Sequence, residues 1–178
     1  MSRIGKKAIT LPKNVNITFE NNKVTIKGKH GTLERHFSDL ISITVENEKV
    51  ILTRKNEEKA TRAYHGLMRA LIQNMVTGVD EKFSKVLIAE GVGYKFQVDK
   101  TNLNVNVGFT HPVQFTIPSD ISVKIEGSTK LELTGIDCEK IGFFAAKIRE
   151  TRPPEPYKGK GILYQGEKII RKAGKTGK

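Results

Sequence analysis

Apolar and polar residues alternate along the first third of the chain: Val15, Ile17 and Phe19, then Val24 and Ile26, Leu33 and Phe37, Ile43 and Val45, and Val50 and Leu52. A period of two sends successive side chains to opposite faces, so each run predicts a strand with one buried face. The breaks at Glu20-Asn21-Asn22-Lys23 and Glu46-Asn47-Glu48-Lys49 are short and carry asparagine, which tolerates the left-handed backbone of tight hairpins. Neighbouring strands are therefore expected to run antiparallel.

At Asn56 the period changes. Ala60, Ala63, Tyr64, Leu67, Met68, Leu71, Ile72 and Met75 recur at helical spacing, with Asn56 placed as N-cap, Glu57 and Glu58 in the first turn and Gly78 as the stop. Such a helix covers the apolar face of the preceding sheet and turns Arg62, His65 and Arg69 outward, as a phosphate grip or simply as a solvated face.

Strand-like runs resume after Lys82: Val86 and Ile88, Tyr94 to Val98, Leu103 to Val107, Val113 to Ile117, Val123 and Ile125, and Leu131 and Leu133. A second helix is predicted from an Asp137 N-cap, with Ile141, Phe144, Ala145 and Ile148 as its apolar stripe. Pro153 stops it, because the residue before a proline avoids helical geometry.

Residues 43–53 (ITVENEKVILT) and 123–134 (VKIEGSTKLELT) differ in length by one residue, and each is followed by a short link and a helix. This predicts an α+β protein of two tandem copies, each a mostly antiparallel sheet covered by one helix, with a basic C-terminal tail. The expected boundaries are 1–82, 83–152 and 153–178 for the tail. Each copy is small enough to need the other, or a partner, for stability.

Charge separates these regions. Residues 1–82 hold fifteen basic and nine acidic residues, 83–148 seven of each, and 149–178 nine against three, within a net charge of +12. A field of that sign selects nucleic acid, an anionic membrane surface or an acidic protein as partner. No apolar run is long enough to span a bilayer, the N-terminus lacks the apolar core of a secretory signal, and Cys138 is the single cysteine. A reducing, intracellular setting is expected.

No catalytic constellation emerges. Gly174-Lys175-Thr176 has Ile169 where a phosphate-binding loop needs its first glycine, and Gly91-Val92-Gly93-Tyr94 is followed by a strand pattern and lacks the later glycine of a dinucleotide site. Histidines 30, 36, 65 and 111 are scattered without metal-ligand spacing, and no nucleophile elbow surrounds a serine. Cys138 falls in the first turn of the second helix, where a thiol is either activated or merely tolerated. No metal, cofactor or small-molecule substrate is expected, and the protein is read as a non-enzyme.

The tail carries the chemistry that remains. Tyr157 and Tyr164 offer faces for unpaired bases, while Gly159 and Gly161 let a phosphate approach the backbone. Pro153, Pro154 and Pro156 are expected to hold its root extended and lead it away from the domain. Six to nine phosphate contacts would give a log–log salt slope of roughly −4 to −8. The plainer readings are a solubilising extension here and a frayed terminus at residues 1–7.

Pro154-Glu155-Pro156-Tyr157-Lys158-Gly159-Lys160-Gly161-Ile162 resembles the large-subunit ribosomal protein six family of the bacterial and organellar type. So do Ser2-Arg3-Ile4-Gly5-Lys6-Lys7, residues 65–71, Gly91-Val92-Gly93-Tyr94, His111-Pro112-Val113 and residues 145–149, in order along the whole chain. The resemblance implies a structural component of the large ribosomal subunit, in the cytoplasm or an organellar matrix or stroma. It implies binding to 23S-type rRNA near the stalk base and the sarcin-ricin loop, beside neighbouring large-subunit proteins, in support of the translation-factor region. Arg152, Tyr157, Lys158, Gly159, Lys160, Gly161, Tyr164, Lys168, Arg171, Lys172 and Lys175 are cast as tail contacts, Tyr94, Lys95 and His111 as loop contacts, and Arg3, Lys6 and Lys7 as arm contacts. Leu163 stands where that family usually has arginine, Ala8 where it has proline, and Phe143 where it has a polar residue, which marks an added protein or rRNA contact. Deleting Arg152 to Lys178 is expected to leave both copies folded while abolishing incorporation into the subunit. The alternative from another class is a free nucleic-acid or membrane-surface binding module.

Overall fold

A computed structural model describes residues 4–46 and 48–174; Arg3, Asn47 and Lys175 fall outside the described residues, as does the end of the Gly174-Lys175-Thr176 motif. The chain divides into unit 1, Met1–Phe83 with Ile136–Cys138, and unit 2, Ser84–Gly135 with Glu139–Lys178.

Unit 1 contains β1 (Ile9–Thr10), β2 (Asn16–Glu20), β3 (Lys23–Gly28), β4 (Gly31–His36), β5 (Ile41–Glu46), β6 (Lys49–Arg54) and α1 (Lys59–Glu81). Two three-stranded sheets result, ordered β2-β3-β4 and β1-β6-β5, with every pair antiparallel. Asn21 and Asn22 both take positive φ, 45° and 63°, in the β2–β3 turn, as that turn's sequence predicts. Ile9, Val24, Ile26, Val50, Ile72 and Val79 are wholly buried in the core between sheets and helix.

Helix α1 differs from its predicted form in three ways. It starts at Lys59 with Glu58 as the capping position and no side-chain cap; the Asn56 Oδ1 reaches only the Glu58 N–H, at 3.4 Å. Gly78 does not end the helix but lies inside it, where the Ile136 carbonyl occupies the space a Cβ would need. The helix stops at Lys82, in the left-handed region at φ 61°, whose N–H bonds the Gly78 carbonyl. Third, the buried stripe runs through Thr61, His65, Met68, Ile72, Met75, Val76 and Val79, while Tyr64 and Leu67 are exposed. His65 is thus 3% exposed, not outward-facing, and its Nε2 donates to the Leu52 carbonyl at 3.0 Å.

Unit 2 contains β7 (Phe83–Glu90), β8 (Lys95–Asp99), β9 (Asn102–Asn106), β10 (Val113–Thr116), β11 (Ile121–Glu126), β12 (Lys130–Gly135), α2 (Cys138–Glu150) and β13 (Gly161–Tyr164). Its sheets are β10-β9-β8 and β11-β12-β7-β13. The β5–β6 and β11–β12 hairpins are the two similar segments of sequence. Glu46 pairs with Lys49 in the first and Glu126 with Lys130 in the second, so the inserted residue is absorbed by the turn. In β7, Leu87 and Ala89 are buried, the opposite phase to the predicted Val86 and Ile88, because this inner strand carries apolar residues on both faces.

The expectation of a tail leading away from the domain is overturned for residues 161–164. Strand β13 pairs antiparallel with β7, Ile162 opposite Ala89 and Leu163 opposite Ile88, and both Ile162 and Leu163 are buried. Burying two branched side chains is worth about 3–6 kcal/mol in transfer free energy, enough to hold four residues that local propensity alone would leave loose. Leu163 is therefore a core residue.

Candidate nucleic-acid interface

The segment after α2 is shaped by its backbone bonds. The Thr151 and Arg152 N–H groups reach back to the Ile148 and Arg149 carbonyls, and the Ile162 N–H donates to the Arg152 carbonyl at 2.8 Å. Between these points the Glu155 N–H donates to the Lys160 carbonyl at 2.9 Å, closing a loop with Tyr157 and Lys158 at its exposed tip. Gly159, at φ 74°, has the Arg171 guanidinium 3.0 Å from where a Cβ would lie, and the Lys172 N–H bonds the Pro156 carbonyl at 2.8 Å. Residues 171–172 thus fold back on the 155–160 loop.

Tyr94 organises the neighbouring loops. Its ring is 9% exposed and lies against Gly91 and Gly108, where side chains would meet it at 2.9 and 3.3 Å. A groove of about 270 Å³ is lined by Tyr94, Arg152, Pro153, Glu155 and Lys160. The Arg152 guanidinium is 5.6 Å from the Phe109 ring centroid, a cation–π distance that ties the 155–160 loop to the loop carrying Phe109 and His111. Tyr94, His111, Arg152, Tyr157, Lys158 and Lys160 are therefore carried by loops that meet around one ring, and Lys95 opens the adjoining strand.

Tyr164 has a different setting. Lys85 and Arg149 lie 5.9 and 5.6 Å from its ring centroid, and Arg149 pairs with both carboxylate oxygens of Glu167, at 2.6 and 3.2 Å. Glu167 also accepts the Tyr164 N–H at 3.0 Å. The Arg149 hydrogen bonds, then that backbone bond, hold the Glu167 carboxyl below the usual glutamate range, against a smaller opposing effect of burial. The pair neutralises one acid and one cation of this region alike. Gly161 is buried against Pro153 and Pro154 and takes part in β13 pairing. Lys168, Arg171 and Lys172 are exposed on the irregular segment that follows β13.

Lys6 and Lys7 belong to unit 1. The Lys7 N–H turns back to the Ile4 carbonyl, Arg69 Nε donates to the Lys7 carbonyl at 3.1 Å, and Gly5 packs on the His65 ring. Residues 4–7 are thus a docked turn on α1 and not a loose arm. Sequence reasoning missed Phe109 and Val92, both exposed at loop tips. An aromatic between Gly108 and the His111-Pro112 pair was a usable signal for the first; Val92 gave none beyond its flanking glycines.

Among the described residues no cluster of histidine, cysteine and acidic side chains could hold a metal ion, and no helix is long and apolar enough to cross a membrane. A family profile described as ribosomal protein L6 matches residues 11–82 and 90–165, one stretch in each unit. The chain is similar over its whole length to the large ribosomal subunit protein uL6 of Synechocystis sp., with 48% identity covering 99% of that protein. The protein of the same name from Dictyoglomus thermophilum is 49% identical over all of this chain and 99% of its own. The large ribosomal subunit protein uL6c of Phaeodactylum tricornutum is 48% identical, with both chains fully covered.

Proposed function

The chain belongs to the ribosomal protein L6 family, and on that premise we propose that unit 2 is the part that grips large-subunit rRNA, through the loops gathered around Tyr94. The protein is a structural constituent of the large ribosomal subunit and not an enzyme. Its work there is charge neutralisation and wedging between RNA elements. Arg152 and Lys160 meet phosphates, Phe109 and Tyr157 present rings to unpaired bases, and His111, Lys95 and Lys158 extend the contact. Lys168, Arg171 and Lys172 continue it along the segment after β13, with Lys175 beyond, and Arg3, Lys6 and Lys7 add contacts from unit 1. The site on the subunit is the rRNA near the stalk base and sarcin-ricin loop, beside the proteins of the stalk base.

The observation that carries this reading is the convergence of cations and exposed rings on loops held by a buried tyrosine and by backbone bonds. Fixing such groups before contact removes ordering cost from binding. Truncation at Arg152 is a poor test, since it removes β13 and the buried Ile162 along with the cations. Arg152→Gln with Lys160→Gln is cleaner. In a salt titration against rRNA fragments covering the sarcin-ricin and stalk-base helices, the pair should lower the log–log slope by about 1.5. Reconstituted subunits should crosslink through Phe109 or Tyr157 to those helices. An unchanged slope, or crosslinks confined to other rRNA, overturns the assignment.

A further inference from the structure

The groove beside Tyr94 holds one group that phosphate binding does not call for. Arg152 and Lys160 suit an RNA backbone, yet Glu155 lines the same groove of about 270 Å³ and is only partly exposed. Two other acids of unit 2 are spent on cations: Glu167 pairs with Arg149, and Asp120 with Lys140. Among the described residues no hydrogen bond or ion pair engages the Glu155 carboxylate, and its N–H donation to the Lys160 carbonyl at 2.9 Å uses the main chain alone. That backbone bond closes the 155–160 loop, so the carboxylate is carried on a main chain already fixed.

A carboxylate in this position repels phosphate and lowers the attraction of the groove for RNA of any sequence. It suits N–H donors instead. Among unpaired RNA bases only guanine presents two adjacent donors on one edge, N1–H and the N2 amine, which match the two oxygens of a carboxylate. Cytosine and adenine each set an amine beside a bare acceptor, and the single N–H of uracil lies between two carbonyls. Each of these would turn a lone pair toward one Glu155 oxygen. Tyr94 and Pro153, which line the same groove, supply surface against which a planar base can lie. The Arg152 guanidinium is held over the Phe109 ring at 5.6 Å, which leaves its N–H groups for a phosphate.

Resting on the reading of unit 2 as the part that grips rRNA, we propose that this groove takes one unpaired guanine. Its Watson–Crick edge donates to both Glu155 carboxylate oxygens, while Arg152 and Lys160 hold the adjoining phosphates. Glu155 thus gives up general affinity in exchange for choice of base.

The test uses the full chain and the RNA heptamers UUUGUUU, UUUIUUU with inosine, UUUAUUU and UUUUUUU, followed by fluorescence anisotropy at low salt. The guanine heptamer should bind about tenfold tighter than the adenine and uridine ones, with the inosine heptamer, which lacks the N2 amine, in between. Glu155→Gln keeps the shape of the side chain but turns one acceptor into a donor. It should erase the guanine preference while binding of UUUUUUU holds or tightens. In reconstituted subunits kethoxal, which attacks N1 and N2 of unpaired guanine, should find a guanine that the parent chain shields and Glu155→Gln leaves open. Equal binding of the heptamers, a preference that survives Glu155→Gln, or the same kethoxal pattern with both chains overturns the proposal. Salt-dependent binding without base preference sinks the guanine site alone. Heptamers that fail to bind at any salt, together with an unchanged rRNA salt slope for Arg152→Gln with Lys160→Gln, sink the rRNA grip of unit 2 as well.

Discussion

Unit 1 and unit 2 are assembled from the same parts in the same order, and they part company at the outer edge of the hairpin sheet. In unit 1 that edge is β1, two residues long, beside β6. In unit 2 the corresponding strand, β7, is eight residues long and takes β13 on its far side. The extra strand does more than cover an edge. It turns a basic tail into part of the sheet, so the loop before β13 and the cations after it are held by the core of unit 2. A second contrast lies in the helices: Gly78 of α1 is forced by the Ile136 carbonyl, whereas Gly142 in α2 has open space where a side chain would be.

Removing the packing under β13 should break the first contrast most sharply. Ile162→Ala, at a wholly buried position, is expected to cost unit 2 about 2–5 kcal/mol, with unit 1 amides unaffected in native-state hydrogen exchange. The helix contrast comes next: Gly78→Ala should destabilise unit 1 by about 1–3 kcal/mol in chemical denaturation, since the backbone must move to admit a Cβ.

A smaller effect concerns how the end of β13 is clamped. Glu167→Gln should cost about 1 kcal/mol at neutral pH. Because Arg149 lowers the Glu167 pKa in the folded chain, the stabilisation is complete above the ordinary glutamate range and is lost as pH falls through the lowered folded value. The stability difference between the parent and Glu167→Gln should therefore shrink in acid, read from denaturation midpoints across that range. Smallest of all, Gly142→Ala should stabilise α2 by about 0.5–1 kcal/mol, the opposite sign to Gly78→Ala, by differential scanning calorimetry.

Much of the fold was legible because its causes are local. Alternation located the hairpins, Asn21-Asn22 their first turn, and the repeat was visible with its one-residue insertion. The face of α1 was misjudged by a rotation, since Thr61 and His65 counted as polar although they share helical spacing with Met68 and Ile72. His65 is accommodated by a hydrogen bond to Leu52, a partner thirteen residues away. Of the candidate interface, the charges, the tyrosines and the glycines were visible, whereas Phe109 and Val92 were missed. The grouping was not visible either, because Tyr94, Arg152 and Phe109 come from three separate stretches of chain.

By itself, then, the sequence determined the two units, their helices and hairpins, and the concentration of positive charge after Arg149, all of which follow from periodicity and composition within short windows. Only the tertiary structure decided that Gly161–Tyr164 is a strand, that Leu163 is core, and which glycines are compelled. The physical reason is the same in each case. A four-residue segment has too little local free energy to fix its own conformation, and its fate rests on whether a distant strand offers an unpaired edge and an apolar place to bury Ile162.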